Sequence, residues 1–261
     1  MDFFSVHKAW LNCRRRKRAT PQAQCYEAYL LDNLVETAQE LASGSWQPRR
    51  PVCFIVNKPK IREIHAAHYR DRVVHHLLVP KLERLYEPIF IHDLHSNRPG
   101  KGIHTAVQRL RHCMRSVLRT QGQAYFLQMD IRNFFNSVDR RILFSLLQHR
   151  LRKAVRKGKI TEQEAVFCRD SSHIILKQDV GREAYMAASA AEIASVPPHK
   201  RLINAGKDKG LPIGNLTSQF FANVYLNELD QFVKHELKCR HYLRYVDDFI
   251  LLHDNPAQLE L

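Results

Sequence analysis

Two adjacent aspartates, Asp247 and Asp248, are the strongest indication of chemistry in this sequence. They stand between two apolar runs, residues 241–246 and 249–252, and this pattern predicts a β-hairpin with both carboxylates at its tip. Neighbouring carboxylates repel each other unless a cation lies between them, and hard oxygen ligands suit Mg²⁺. The alternative interpretation is a solvated turn, because aspartate is common in turns.

A third carboxylate, Asp130, directly follows a mostly apolar segment, residues 125–129, that predicts a β-strand. If this strand and the hairpin belong to one sheet, three carboxylates can converge on two metal ions. Such a pair of ions can activate an attacking hydroxyl and stabilise a leaving pyrophosphate, which is the chemistry of phosphoryl transfer. Taken alone, Asp130 would be interpreted as a cap at the end of a strand.

The charge of the chain points to a polyanionic partner, most simply nucleic acid, because its 261 residues carry a formal net charge of +15. The first twenty residues carry six lysines and arginines against one acid, and they predict an arm or helix for a phosphate backbone or, alternatively, a solvated charge run. The hydrophobic content of 44% is ordinary for a globular protein, and no segment approaches the ~20 apolar residues of a membrane helix. We therefore expect no membrane partner.

The elements around the carboxylates follow from hydrophobic periodicity. Val52–Val56 and residues 61–64 predict paired strands, and Asp139 is the expected N-cap of a helix. Residues 150–209 are the least regular part, with a capping-box pattern at Thr161. An amphipathic helix is predicted after Gly102. Its expected apolar face consists of Ile103, Ala106, Val107, Leu110, Met114 and Val117.

Six cysteines and fifteen histidines raise the question of a further metal site. The cysteines show no C-x-x-C spacing, so we expect reduced thiols in a cytoplasmic protein. The histidine pairs His65/His68 and His75/His76 lie in basic stretches of the chain. Phosphate contact or surface exposure is favoured there over metal binding.

Five segments, in this order along the chain, resemble motifs of reverse transcriptases. Residues 60–62 and 97–102 look like the finger motifs of the retron and group II intron branches. Gln128–Phe135 resembles the first catalytic palm motif, residues 210–219 resemble the palm loop-helix motif, and Tyr245–Asp248 resembles the catalytic hairpin. The resemblance covers nearly the whole chain, and five ordered motifs are far more specific than one aspartate pair.

The resemblance implies an α+β fold made of the fingers and palm of a right-hand polymerase, with an antiparallel palm sheet backed by helices. The family continues after the catalytic hairpin with a primer-grip hairpin and a helical thumb, whereas this chain stops at Leu261. We therefore expect a fragment in which the thumb is absent, and this leaves open whether the fragment is active alone. The predicted divisions are an N-terminal region with fingers at 1–123, a first palm segment at 124–150, a helical insert of the fingers at 151–210, and a second palm segment at 211–261.

The resemblance also assigns roles to individual residues. Asp130, Asp247 and Asp248 would form the catalytic triad that holds two Mg²⁺ ions, with the Ile131 carbonyl as a further metal ligand. Phe135 would exclude a 2′-hydroxyl beneath the sugar of the nucleotide, although it can also be a plain packing residue. The expected nucleotide-binding residues are Lys60, Arg62, Phe135, Ile213, Gly214 and Gln219, and the expected template and primer contacts are Arg98, Lys101 and Tyr245.

The segment at residues 213–219 indicates which branch of the family the chain resembles. Most prokaryotic relatives carry glutamine before the glycine of this motif, whereas this chain has Ile213 before Gly214. The residues of this segment resemble the same motif in the reverse transcriptases of diversity-generating retroelements. Those enzymes misread template adenines and work with a small basic accessory protein. This implies an error-prone, prokaryotic or phage-encoded RNA-directed DNA polymerase that uses an RNA template, a DNA or RNA primer and deoxynucleoside triphosphates. The alternatives are a reverse transcriptase of a retron, a group II intron or a phage-defence system, or an inactive nucleic-acid-binding remnant.

Overall fold

The structure, a computed structural model, describes residues 1–15 and 17–260, apart from the side chain of Gln121. Arg16 of the predicted basic arm and Leu261 of the predicted second palm segment lie outside the described part. Helices and strands are mixed along the chain, which confirms the predicted α+β class. The chain divides into two compact units, called here unit 1 (residues 1–85 and 135–220) and unit 2 (residues 86–134 and 221–261).

The elements begin where capping chemistry and apolar periodicity predict. Asp139 accepts hydrogen bonds from the N–H groups of Arg141 and Ile142, and Thr161 accepts one from Glu164. The helices are α1 (Phe3–Cys13), α2 (Pro21–Ala28), α3 (Leu30–Ser43), α4 (Tyr69–Tyr86), α5 (Ile103–Gln121), α6 (Phe134–Ser137), α7 (Arg140–Arg156), α8 (Glu162–Lys177), α9 (Val180–Glu183), α10 (Ala190–Ser195) and α11 (Leu216–Gln231). The strands are β1 (Val52–Val56), β2 (Arg62–Ala66), β3 (Tyr125–Asp130), β4 (Tyr185–Met186), β5 (His241–Tyr245) and β6 (Asp248–His253).

Unit 1 contains a three-stranded sheet of order β2–β1–β4. Strands β1 and β2 are antiparallel, with Val56 opposite Arg62, so the hairpin predicted from residues 52–64 is present with a longer second strand. Strand β4 pairs in parallel with β1 and lies within residues 151–210, which we predicted as a helical insert. A strand of two residues has no readable periodicity, so it could not be predicted from the sequence pattern.

Helices α1 to α4 share an apolar core in unit 1, because each presents apolar residues at helical spacing. Its buried members are Val6, Ala9, Trp10, Cys13, Ala23, Tyr26, Leu34, Ala38, Tyr69, Val73 and Leu77.

Two histidines of unit 1 lie where we did not expect them. His65 of β2 and His75 of α4 are only 2% and 4% exposed, so the prediction of surface or phosphate contact is wrong for both. The reason is positional, because His65 occupies an inward position of the alternating strand and His75 the inner face of its helix. Burial lowers the pKa of both imidazoles, and that of His75 falls to about 3.

Unit 2 is built on an antiparallel sheet of order β3–β6–β5. Helix α5 covers this sheet with Leu110 and Cys113, which pack against Leu243 and Leu252. The predicted apolar face of α5 is therefore only partly correct, because Ile103, Val107 and Met114 are exposed. Leu110 and Val117 of the predicted face do lie inward, together with Cys113, which we did not include in that face.

None of the helices in residues 1–15 and 17–260 combines the length and the apolar character that crossing a bilayer requires.

Candidate active site

The register of the unit 2 sheet brings the three aspartates together. Asp130 is the last residue of β3 and lies directly opposite Asp248, the first residue of β6. Directly opposed residues of an antiparallel pair have Cβ atoms about 4.5–5.5 Å apart. Asp247 lies in the hairpin loop just before β6. One carboxylate oxygen from each of the three aspartates lies within 4.8 Å of the corresponding oxygens of the other two.

The electrostatics of this cluster favour a bound cation. Asp130 and Asp248 are exposed and Asp247 is half-buried. Within the part of the chain that the structure describes, no lysine, arginine or histidine forms an ion pair with Asp130 or Asp248. Like charges directly opposite each other destabilise a sheet, so divalent cations with oxygen ligands would relieve a repulsion that the register creates. The residues therefore fit the predicted magnesium ions.

The hairpin that carries Asp247 has an unusual backbone. Tyr245 pairs with Asp248, which leaves Val246 and Asp247 as a two-residue loop between β5 and β6. Val246 has a φ of 58°. The favoured two-residue hairpin loops need a positive φ at their first position, and glycine, asparagine and aspartate are the usual residues there. A β-branched residue in this region is strained, by about 1–3 kcal/mol, and such strain concentrates at functional sites.

Two further predicted residues flank the carboxylates in unit 2. Ile131, whose carbonyl we predicted as a metal ligand, directly follows Asp130 and has a half-buried side chain. Tyr245 ends β5 opposite Asp248 with 38% of its surface exposed, so its ring is accessible beside the triad.

A second group of predicted residues assembles in unit 1, where the loop before α11 attaches to β2. The N–H of His65 donates to the Ile213 carbonyl at 2.9 Å. Asn215, which is buried, accepts a hydrogen bond from the Ala67 N–H at 3.0 Å and donates one to the His65 carbonyl at 2.9 Å. The loop is therefore held along β2, the strand that begins with Arg62.

Gly214 is the residue that lets this loop approach the strand so closely. Its φ of 115° is a conformation that L-residues with a side chain rarely adopt. A Cβ atom built at this position would lie 2.7 Å from Cγ2 of Ile64. Both the backbone and the available space therefore require glycine here.

The remaining nucleotide-binding candidates differ in their accessibility. Lys60, Arg62 and Gln219 are exposed, which leaves their polar groups accessible to solvent. Phe135 is half-buried, whereas its neighbour Phe134 is 3% exposed and is therefore the packing residue of the pair.

Arg98 is engaged within unit 2 rather than presented to solvent. Its guanidinium contacts the Glu87 carboxylate and donates to the carbonyls of Ile91 and Leu94, and its side chain is 8% exposed. A template contact by Arg98, which stays a prediction, would require it to exchange one of these bonds. Lys101 is half-buried and donates from Nζ to the His92 carbonyl at 2.9 Å.

Unit 1 also contains a buried group that the sequence did not predict, consisting of Cys53, Glu63 and His65. Cys53 and His65 are register partners, so pairing β1 with β2 is what brings them together. Glu63 accepts a hydrogen bond from the Leu202 N–H at 2.6 Å and faces Arg201 Nε at 3.7 Å. Because its charge is already compensated, we interpret Glu63 as a polar link between β2 and residues 201–202.

Comparison with known proteins places these sites in a wider context. The family model described as "Reverse transcriptase (RNA-dependent DNA polymerase)" matches residues 55–261. The chain is 23% identical over 205 residues to the group II intron-encoded protein LtrA of Lactococcus lactis subsp. cremoris, covering 77% of this chain and 28% of that protein. It is 25% identical over 209 residues to protein YkfC of Escherichia coli K12, covering 79% of this chain and 47% of that protein.

A shorter match and a solved structure complete the comparison. Nuclear intron maturase 1, mitochondrial, of Arabidopsis thaliana is 29% identical over 108 residues, which cover 40% of this chain and 14% of that protein. A solved structure described as "Partial Cas6-RT-Cas1--Cas2 complex" aligns with 97% of this chain and 37% of its own chain, at 17% identity and a TM-score of 0.45. This chain thus spans less than half the length of each of these relatives.

Proposed function

Because the chain belongs to the reverse transcriptase family, we propose that it carries the catalytic centre of an RNA-directed DNA polymerase that uses two Mg²⁺ ions. The observation that carries this proposal is the convergence of three carboxylates from β3 and the β5–β6 hairpin. Asp130, Asp247 and Asp248 would hold the metals, with the Ile131 carbonyl as a further ligand. When bound, the two ions would lower the cost of forming the attacking 3′-oxygen and of releasing pyrophosphate.

We assign the residues of unit 1 to the incoming deoxynucleotide. The exposed side chains of Lys60 and Arg62 suit charge-assisted hydrogen bonds to a triphosphate. Phe135 would act as the gate against a 2′-hydroxyl. The loop held on β2, with Ile213 and Gly214, would form one wall of the pocket. Gln219, three residues into α11, would contact the nucleotide or the template.

We assign the template and primer contacts to Lys101, Tyr245 and Arg98, the last on condition that it releases an internal bond. The net charge of +15 supports a long polyphosphate partner. In this proposal residues 124–150 and 211–261 form the palm, and residues 1–123 and 151–210 form the fingers.

We further propose the diversity-generating branch, with error-prone copying of adenine and a small basic accessory protein as partner. The support is the residue type at position 213, where an isoleucine can pack but cannot hydrogen-bond. The second candidate is a group II intron type of polymerase, which is favoured by the similarity to LtrA and to the Arabidopsis maturase. Sequencing the cDNA that the full-length protein makes separates the two, because only the first predicts errors concentrated at template adenines.

The test of the polymerase itself is primer extension by the full-length protein. We expect a DNA primer on an RNA template to be extended with deoxynucleotides in the presence of Mg²⁺, and extension to stop when EDTA removes the metal. Incorporation of ribonucleotides should be much slower, because Phe135 would occupy the space of the 2′-hydroxyl. Absence of extension with both Mg²⁺ and Mn²⁺ would contradict the proposal.

A further inference from the structure

The strained turn at Val246 is held at both of its backbone polar groups. The Val246 N–H donates to Ser96 Oγ at 2.9 Å, and the Val246 carbonyl accepts from Arg244 Nη1 at 2.8 Å. Ser96 is itself fixed, because its carbonyl accepts a hydrogen bond at 2.9 Å from the amide of Asn223 on α11. Val246 is thus held by one residue of the hairpin itself, Arg244 of β5, and by one residue outside the hairpin, Ser96.

Arg244 reaches this turn from a fully buried position. Its side chain has no exposed surface, and its guanidinium forms a two-pronged ion pair with Asp230 of α11, with Nε–Oδ1 and Nη2–Oδ2 distances of 2.7 and 2.6 Å. The Tyr242 hydroxyl donates to the same carboxylate at 2.8 Å. Only the planar fork of arginine can bind Asp230 through two nitrogens and still offer Nη1 to the turn.

The neighbouring backbone keeps Arg244 in register. Its N–H donates to the Asp93 carbonyl and its carbonyl accepts from the His95 N–H, both at 3.0 Å. The segment at residues 93–96 therefore runs beside β5 and delivers Ser96 to the turn. A buried ion pair is weak evidence for stability, because desolvation offsets its attraction, so a role in fixing a conformation is the more informative interpretation.

We propose that Asp230 and Arg244 are positioning residues that hold Val246 in its left-handed conformation and thereby set where Asp247 and Asp248 stand relative to Asp130. The inference rests on the proposed function, because it concerns metals held by that triad. Neither positioning residue touches the reacting atoms. They act through the Val246 carbonyl, while Ser96 acts through the Val246 N–H.

The test uses the full-length protein with Arg244→Lys, which keeps the charge and removes the fork. Arg182→Lys is the matched control, because Arg182 has an exposed side chain in unit 1. The first readout is Mn²⁺ binding followed by electron paramagnetic resonance, counting only binding that Asp247→Asn abolishes. The second is the rate of primer extension as a function of deoxynucleotide concentration.

We expect Arg244→Lys to weaken Mn²⁺ binding by about tenfold or more, the usual effect of removing a partner that orients metal ligands. We expect kcat to fall, whereas KM for the deoxynucleotide should stay near that of the wild type, since unit 1 is unchanged. Arg182→Lys should change neither quantity. Wild-type Mn²⁺ affinity in a folded Arg244→Lys protein would overturn the proposal.

A suppressor separates positioning from general destabilisation. Glycine adopts positive φ without steric cost, so Val246→Gly should restore most of the Mn²⁺ affinity lost in Arg244→Lys. A double variant no better than the single variant would also overturn the proposal. If Arg244→Lys does not fold, Ser96→Ala removes the other anchor of Val246 and is compared in the same way with and without Val246→Gly.

Failure of the proposed function would look different from failure of this inference. A wild-type protein that binds Mn²⁺ through the triad but extends no primer would refute the polymerase and leave the positioning role intact. If the wild-type protein extends primers but folded Arg244→Lys binds Mn²⁺ with wild-type affinity, the polymerase would stand and the positioning role would be refuted.

Discussion

The turn at Val246 in unit 2 and the turn at Gly214 in unit 1 both place a residue with positive φ within the proposed active-site machinery, but by different means. Gly214 has a φ of 115° and no space for a side chain, so its residue type alone permits the conformation. Val246 has a φ of 58° and keeps a branched side chain, so surrounding hydrogen bonds must stabilise it. One turn is specified by its own residue and the other by distant residues.

This difference predicts how each turn tolerates substitution. At Gly214 almost any replacement should be harmful, because an added Cβ would lie too close to Cγ2 of Ile64 and because residues with a side chain rarely adopt its positive φ. At Val246 the residue can vary as long as Arg244, Asp230 and Ser96 remain. The two turns also serve different steps of the proposed reaction, which are metal binding in unit 2 and nucleotide binding in unit 1.

Removing a carboxylate of the triad in unit 2 should have the strongest effect on activity. Asp247→Asn should abolish nucleotide addition, because it removes a charge that the metals need, while template binding should stay largely intact. Primer extension and a filter-binding assay with the same primer–template measure the two properties. Asp254→Asn is the matched control, because it makes the same charge change just after β6 and should leave extension near the wild-type rate. Near-normal extension by Asp247→Asn would remove this residue from the proposed site.

The next largest effect tests the nucleotide side. Gly214→Ala places a Cβ atom against Ile64 and strains the backbone by about 1–3 kcal/mol, so the loop should shift away from β2. We expect KM for deoxynucleotides to rise about tenfold or more, while Mn²⁺ binding by the triad stays unchanged. Steady-state kinetics and Mn²⁺ titration measure these.

Gly206→Ala is the control for that substitution, because the nearest atom to its added Cβ would be the flexible Lys209 side chain at 3.5 Å. Its kinetics should match those of the wild type. If Gly214→Ala weakened Mn²⁺ binding instead, the assignment of separate roles to the two turns would be wrong.

Much of the architecture could be predicted because local patterns determine it. Strand β1 has the predicted bounds, β3 ends at Asp130 as expected, and Asp139 caps its helix. The match of the family model over residues 55–261 confirms the predicted membership of the reverse transcriptase family. That Asp130 and Asp248 stand directly opposite each other was beyond the sequence, because register between strands far apart in the chain depends on tertiary packing.

The residues that support the turns were missed for a related reason. Arg244 interrupts an apolar strand and suggests a surface position, yet it is buried because Asp230 pairs with it from fourteen residues upstream. Asn215 directly precedes α11, a position where asparagine commonly caps a helix, but its side chain bonds to His65 of β2 and to Ala67 just after that strand. Side-chain partners at long range leave no periodic trace, although an arginine within an apolar strand beside two aspartates is a sign worth testing.

A smaller effect concerns how the two units respond to acid. Burial lowers the pKa of His75 in unit 1 to about 3, so the stability that depends on its neutral form is complete above its unfolded pKa of 6.5. That stability is lost as pH falls from 6.5 towards 3, by about 2 kcal/mol between pH 7 and pH 5. Burial raises the pKa of Asp71 to about 6, which works in the opposite sense.

In unit 2, burial would raise the pKa of Asp93, but hydrogen bonds from Arg109 and His92 lower it below its usual value. The stability that depends on the ionised form of Asp93 is therefore lost only below about pH 3.8. Burial also lowers the pKa of His95 and His241 in unit 2, so both units contain acid-sensitive histidines. Hydrogen exchange at pH 7 and pH 5 should show α4 loosening around His75 as the pH falls. His75→Gln should flatten the pH dependence of the free energy of unfolding between these values. An unchanged slope in the variant would show that His75 is not responsible.

The smallest expected effect concerns fidelity and the side chain next to Gly214. Ile213 is half-buried and bonds to His65 only through its carbonyl, so its side chain contributes packing alone. A glutamine there could hydrogen-bond its surroundings and stiffen the pocket around the nascent base pair. Since one lost contact changes discrimination by only ~1–3 kcal/mol, Ile213→Gln should lower misincorporation a few-fold, and more at template adenine than at other bases.

Sequencing of cDNA made by the full-length wild type and Ile213→Gln, each with its accessory partner, measures this effect. Ile213→Val is the matched control, because it keeps an apolar side chain and should leave the error spectrum unchanged. The main-chain bond to His65 is available to all three residues, so a difference between them reports the side chain and not the attachment of the loop. Equal error rates in all three proteins, or a wild type as accurate at adenine as elsewhere, would favour the group II intron type over the diversity-generating type and would confine the function of this loop to nucleotide binding.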